Sequence, residues 1–110
     1  MQYEISKQGN STVFQINEER FDAKLAPEFR NQIESIMNEL SPSVVLDISK
    51  VKFMDSSGLG AVMGVYKLLR DKQISVANAQ KPVLDLLKLT RMDRLIKTYD
   101  SVEDAVATTV

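Results

Sequence analysis

The sequence predicts an α/β fold with a mixed, mainly parallel sheet, an N-terminal β-hairpin at one edge and about four helices (β-β-α-β-α-β-α-β-α). Strand-like and helical patterns alternate along most of the chain, which is typical of parallel strands joined by right-handed crossovers. The run at 44–48 is apolar and rich in β-branched residues, as in a strand covered on both faces. Alternating apolar and polar residues on either side of Gly9-Asn10-Ser11 predict the opening hairpin.

The first helix is predicted over about 26–40. Pro27 suits its first turn, where a missing N–H costs nothing. Apolar residues recur there at helical spacing and form one face, namely Phe29, Ile33, Ile36, Met37 and Leu40. The later elements, in chain order, are a strand at 44–48, a loop at 49–57 with Val51 and Phe53 as candidates to turn inward, a helix over about 58–71, a strand at 74–77, a helix at 81–89, a strand at 95–99 and a short final helix capped by Ser101.

Composition favours a binding or regulatory module over an enzyme. The 110 residues are 44% apolar and 26% charged with a net charge of −1, which suits one folded domain spanning 1–110. The chain has no Cys and no His, so disulfides, thiolate or imidazole metal sites and Ser-His-Asp triads are excluded. No basic excess suggests nucleic acid, and no signal or membrane-spanning stretch is visible, so we expect a cytoplasmic protein.

The most unusual segment runs from Phe53 to Tyr66, where Asp55 precedes two serines and a glycine-rich helix start. Ser56 or Ser57 is in one interpretation an N-cap, the commoner role for a hydroxyl at such a place. No Glu or Gln follows either serine at the third position, so no capping box forms. The other interpretation is a regulated phosphate site, since backbone donors and the helix dipole at a helix start would accommodate a phosphoserine.

The second predicted helix has two apolar sides. One side is suited to the sheet and consists of Leu59, Val62, Met63, Tyr66 and Leu69. The other side carries Ala61, Val65 and Leu68 beside the notch of Gly60 and Gly64. Either neighbouring helices cover this second stripe or a partner does, and the sequence favours neither.

Other motifs give weaker predictions. The glycines at 58, 60 and 64 nearly match a dinucleotide-binding fingerprint, but they do not directly follow an apolar strand. Asp47 and Asp55 suggest a further, weaker hypothesis, a small nucleotide-binding or phosphotransfer enzyme. Asp47 is more simply explained by hydrogen bonds to loop N–H groups. The cations around the third helix are predicted to form a solvated face, namely Lys81, Lys88, Arg91 and Arg94.

Several segments closely resemble the anti-sigma factor antagonists of the STAS domain family. They are Val44-Val-Leu-Asp-Ile-Ser, Met54-Asp-Ser-Ser-Gly-Leu-Gly continuing through Tyr66-Lys67, Leu89-Thr-Arg-Met-Asp-Arg-Leu-Ile-Lys-Thr-Tyr99 and Ser101-Val-Glu-Asp-Ala. The resemblance covers nearly the whole chain and implies a single STAS domain that is not an enzyme. We expect neither a cofactor nor a metal site.

The resemblance also implies a partner switch. The unmodified protein would bind an anti-sigma factor that is also a serine/threonine kinase of the histidine-kinase-like ATPase fold, and so free a sigma factor for transcription. The kinase would phosphorylate Ser56, with Ser57 as second choice, and a PP2C-type phosphatase would reverse the step. Phosphorylation would change the net charge from −1 to roughly −3.

Candidate partner-binding residues follow from the resemblance and from the stripe on the second helix. They are Asp22, Asp55, Ser57, Gly58, Gly60, Ala61, Gly64, Val65 and Leu68. Before the first helix, Asp22 and Ala26 match the family pattern, whereas Glu19 replaces a glycine and Leu25 replaces a small hydroxyl residue. An alternative from a different class is a STAS scaffold or regulatory subunit of a larger assembly or transporter system that is never phosphorylated.

Overall fold

The computed structural model describes residues 1–108. In chain order the strands and helices are β1 (Tyr3–Gln8), β2 (Ser11–Ile16), β3 (Arg20–Phe21), α1 (Leu25–Ile36), β4 (Ser43–Asp47), β5 (Phe53–Met54), α2 (Ser56–Leu68), β6 (Gln73–Ala77), α3 (Lys81–Leu89), β7 (Lys97–Tyr99) and α4 (Val102–Ala107). Short 3₁₀ turns at Met37–Glu39 and Met92–Arg94 follow α1 and α3.

The main sheet confirms the predicted fold class. Its strand order is β1-β2-β4-β6-β7, with β1 and β2 antiparallel and every other neighbouring pair parallel. The central strand β4 is buried along its whole length, as its continuous apolar run predicts. The opening hairpin forms one edge of this sheet, with Gly9 in a left-handed conformation (φ 59°) at its turn.

The two faces of the sheet bury separate clusters of different size. Phe14 of β2 lies in the larger cluster, where its ring meets that of Phe29 of α1 edge to face at 5.8 Å between centroids. Val13, its neighbour in β2, lies on the opposite face with Val102 and Ala105 of α4. Successive strand residues thus pack against different helices, and the larger face positions α1 and α2.

Within residues 1–108 the helices match the prediction in number but not in all boundaries. The first helix ends at Ile36 rather than residue 40, because Ile36 leaves helical geometry (φ −116°, ψ 5°) and the chain tightens into a 3₁₀ turn. The second helix begins at Ser56 and ends at Leu68 rather than spanning 58–71. The bounds of α3 and the cap by Ser101, whose Oγ accepts from the Asp104 N–H at 3.0 Å, are confirmed.

A second, two-stranded sheet was not predicted. β3 and β5 pair in parallel, with Arg20 beside Phe53 and Phe21 beside Met54. Strands of two residues are too short to carry a hydrophobic period, so the sequence placed them in connections. Val51 is fully buried as expected, but Phe53 is wrongly predicted to turn inward, since 41% of it is exposed.

No helix within residues 1–108 is long and apolar enough to span a bilayer.

Candidate functional site

The site is built where the paired strands β3 and β5 end side by side. Phe21 and Met54 pair at the last position of these strands, so Asp22 and Asp55 follow at the same edge. Asp22 leads into α1 and Asp55 leads into α2. The small sheet therefore brings two carboxylates and two helix starts together.

Asp55 caps α2 with its side chain. Its Oδ1 accepts hydrogen bonds from the backbone N–H groups of Ser57 at 2.9 Å and Gly58 at 3.0 Å. The interpretation of Ser56 or Ser57 as the N-cap is therefore wrong, because the residue before them already has the extended cap conformation and supplies the acceptor. The cap also explains why the helix starts two residues earlier than predicted.

Ser56 and Ser57 form the first turn of α2 and differ in accessibility. Ser56 is exposed, whereas Ser57 is half-buried. Because Asp55 uses the N–H groups of Ser57 and Gly58, these donors are not available to a phosphate unless the cap opens. Two of the backbone donors that were expected to accommodate a phosphoserine, the Ser57 and Gly58 N–H groups, are thus already paired with Asp55.

Gly58 allows the helix to approach β3 closely. A Cβ at this position would lie 2.2 Å from the carbonyl oxygen of Phe21 and 2.9 Å from its ring. The same carbonyl accepts the Asp55 N–H at 3.3 Å, which ties the helix start to the small sheet. Gly58 is thus buried and structural, and it offers no side-chain surface to a partner.

Asp22 is held by the start of α1. Its Oδ1 accepts from the N–H groups of Leu25 at 3.3 Å and Lys24 at 3.1 Å. The Leu25 N–H above all, then the Lys24 N–H and the Arg20 guanidinium, hold the pKa of Asp22 below its ordinary 3.8, against an opposing effect of desolvation. The half-buried carboxylate is therefore charged at neutral pH.

Arg20 and Phe53 are a pair that the sequence reasoning missed. The guanidinium carbon of Arg20 lies 4.4 Å from the centroid of the Phe53 ring, and its Nε lies 3.5 Å from Oδ2 of Asp22. The first contact is a cation–π interaction at an exposed position. The sequence clue was that Arg20 and Phe53 each lie two residues before an Asp at a helix start. The strands that align them have only two residues each, which is too short to show a hydrophobic period.

The predicted second stripe of α2 is covered by the protein itself in large part. Ala61 and Val65 are 9% and 0% exposed and belong to the main core. Contrary to the prediction, they are therefore not accessible for direct contact with a partner. The helix is rotated from the predicted orientation because α1 packs against it. The predicted inward residues Leu59, Met63 and Tyr66 are consequently only partly buried.

The two glycines of the predicted notch differ. Nothing lies within 4 Å of a Cβ built on Gly60, which is exposed. At Gly64 the Cβ would lie 3.2 Å from the Arg30 guanidinium of α1, so this part of the notch faces a neighbouring helix. Leu68 is half-buried. Gly60 is thus the open part of the notch.

Asp47 has its own hydrogen-bond partners, Ser49 and Asn78, which differ from those of Asp22 and Asp55. Its Oδ1 accepts from the Ser49 N–H at 3.1 Å and from Nδ2 of Asn78 at 3.3 Å, so the loop explanation is confirmed. Within residues 1–108 no group of three or more carboxylates is arranged to hold a metal ion. Asp47 and Asp55 thus each accept hydrogen bonds from backbone N–H groups close to them in the sequence.

Comparison with known proteins identifies the domain. The model of the STAS domain family matches residues 2–105. The anti-sigma F factor antagonist of Paenibacillus polymyxa is 33% identical over 75 residues, which cover 66% of this chain and 64% of that protein. The chain thus spans slightly less than two-thirds of this relative.

Solved structures share the fold. An anti-sigma factor antagonist from Mycobacterium paratuberculosis superposes with a TM-score of 0.86 at 21% identity, covering 96% of this chain and 91% of that one. The Bacillus cell fate determinant SpoIIAA has been solved in a phosphorylated form, which superposes with a TM-score of 0.70 at 15% identity, covering 96% of this chain and 97% of that one.

Proposed function

The chain belongs to the STAS domain family, and from this premise we propose that it is an anti-sigma factor antagonist that works by partner switching. In its unmodified form it binds an anti-sigma factor that is also a serine/threonine kinase, and a sigma factor is released. Phosphorylation of Ser56 ends the binding, and a PP2C-type phosphatase restores it. The observation that carries the proposal is the exposed Ser56 at the first position of α2, directly after the capping Asp55.

The proposed partner surface consists of Asp22, Phe53, Ser56 and Gly60, and we call it the switch surface. Ser56 and Gly60 are one helical turn apart and both are exposed. Phe53 supplies exposed apolar area, and Asp22 supplies a fixed charge beside the start of α2. A surface that carries an exposed hydroxyl, an apolar ring, an open glycine and a carboxylate suits a protein partner, because one modification changes the charge of the surface.

The effect of phosphate follows from the cap. A phosphoserine adds about 1.5 to 2 negative charges at pH 7. At Ser56 these charges lie next to Asp55, whose carboxylate already occupies two of the helix donors. Because these donors are occupied, the fold neutralises little of the added charge, and a bound partner would face it. We expect phosphorylation to lower the affinity for the partner about 5- to 150-fold.

The modification site is tested by comparing single-serine variants. Purified protein is incubated with the candidate kinase, ATP and Mg²⁺, and the intact mass is measured. We expect wild type and Ser57→Ala to gain one phosphate and Ser56→Ala to gain none. Equal phosphorylation of Ser56→Ala and wild type would refute the assignment.

The alternative, a STAS scaffold or regulatory subunit that is never phosphorylated, makes a different prediction. Protein isolated from its own host is measured by intact mass before and after treatment with a PP2C-type phosphatase. Partner switching predicts a phosphorylated fraction that the phosphatase removes. The scaffold predicts a single unmodified mass under every growth condition.

A further inference from the structure

The segment that follows α3 exposes two leucines. Leu89 is 82% exposed and Leu95 is 50% exposed, more than any other large apolar residue within 1–108. The other apolar residues of α3 behave differently, since Val83 and Leu87 are buried and Leu84 and Leu86 are half-buried. Neither Leu89, at the end of α3, nor Leu95, six residues later, is thus covered by the core.

The backbone holds this segment in a fixed turn. Arg91 adopts the left-handed conformation (φ 61°, ψ 21°), which is unfavourable for a residue with a side chain. Its N–H donates to the Lys88 carbonyl at 3.1 Å, and the Leu95 N–H donates to the Met92 carbonyl at 3.0 Å. Because Met92 is 5% exposed, it anchors the turn while the leucines on either side of it remain outside.

Positive charge is concentrated around the same leucines. Residues 88–97, which we call the basic turn, contain Lys88, Arg91, Arg94 and Lys97 but only one carboxylate, Asp93, in a chain of net charge −1. All four cations are exposed, and none forms an ion pair with another residue in the described part of the chain. Lys81, at the start of α3, instead pairs with Asp85 at 3.0 Å.

We propose that the basic turn is a docking surface for an acidic protein segment that carries apolar side chains. Leu89 and Leu95 provide apolar anchors, and the unpaired cations around them complement carboxylates on the partner. A lipid bilayer is a poorer match, because two leucines on a short turn without an aromatic residue bury little apolar area. The proposal uses none of the residues of the switch surface and does not depend on phosphorylation.

The test is an NMR titration with a defined probe. The probe is a synthetic amphipathic peptide of about four helical turns with Glu on one face and Leu on the other. We expect saturable shifts of the amides in residues 88–97 and an affinity that falls with added salt. Leu89→Ser and Arg94→Glu should each weaken binding at least tenfold, whereas Lys50→Glu, the same charge change at an exposed lysine outside the turn, should leave the affinity within about twofold.

Three results would overturn the proposal. They are the absence of shifts in residues 88–97, equal affinity of Leu89→Ser and wild type, and a response to phosphatidylglycerol vesicles without one to the peptide. Because Leu89 is 82% exposed, the Leu89→Ser variant should keep the wild-type spectrum in the main sheet, which verifies its fold. Neither kinase nor ATP is used, so the outcome is separate from that of the proposed switch.

Discussion

Asp55 has two functions at the level of single residues. Its carboxylate satisfies two N–H groups at the start of α2, and its position directly before Ser56 places a negative charge beside the proposed modification site. A serine cap would have made the same hydroxyl structural and less accessible. Because Asp55 supplies the cap, the Ser56 hydroxyl is not needed for it, and the residue is exposed as the proposed phosphorylation requires.

Removal of this cap should destabilise the fold. Asp55→Ala leaves the Ser57 and Gly58 N–H groups without their acceptor, and we expect a loss of about 1 kcal/mol in the free energy of unfolding. Ser101→Ala, which removes the cap of α4, is the matched control and should cost a similar amount. Urea denaturation measures both variants. An unchanged midpoint for Asp55→Ala with a lowered midpoint for Ser101→Ala would contradict the role of Asp55.

Asp22 should make stability depend on acidic pH. Its folded pKa lies below the ordinary value of 3.8, so its contribution is fully present above that value and is lost as pH falls through the lower folded pKa. Asp22→Asn should therefore be less stable than wild type near neutral pH, and the difference should shrink as the solution is acidified below 3.8. Denaturation midpoints across this range measure the difference. A constant difference would show that the charge of Asp22 does not contribute.

At the level of elements, two glycines of α2 have different surroundings. Gly58 is required because the helix start lies against the Phe21 carbonyl, whereas Gly60 faces open space. An open glycine inside a helix costs stability relative to alanine. No packing within the described residues requires a glycine at position 60, and the open space there leaves room for the proposed partner.

The two glycines should respond oppositely to alanine. Gly58→Ala forces its Cβ into backbone atoms, so we expect a loss of about 1–3 kcal/mol from overpacking. Gly60→Ala should stabilise the protein by up to about 1 kcal/mol, since alanine is the better helix former. Thermal and urea unfolding of the two variants tests this pair. Equal effects would show that the approach of α2 to β3 does not depend on Gly58.

The sequence identified the helices and the main strands because their patterns are long enough to show a period. The bounds of α3 and the buried run of β4 illustrate this. It failed at β3 and β5, where two residues each make the contacts that align Asp22 with Asp55. It also misjudged the orientation of α2, because apolar residues occur around most of this helix and only the packing of α1 decides which side is buried.

On the scale of the whole molecule, the proposed functions are confined to surfaces and the core is left intact. The sheet and the two clusters form the core, whereas the residues of the switch surface and the leucines and cations of the basic turn are exposed or half-buried. A protein that is itself the substrate of a kinase needs no catalytic base, which is consistent with a chain that contains neither His nor Cys. The kinase and the phosphatase would bring that chemistry.

The central claim is that phosphate on Ser56 controls partner binding, and affinity measurement tests it most directly. The candidate anti-sigma kinase is titrated, by calorimetry without ATP, with unmodified protein and with protein phosphorylated only at Ser56. We predict that phosphorylation raises the dissociation constant at least fivefold. Phosphorylated Ser56 protein that binds as tightly as the unmodified form would contradict the account.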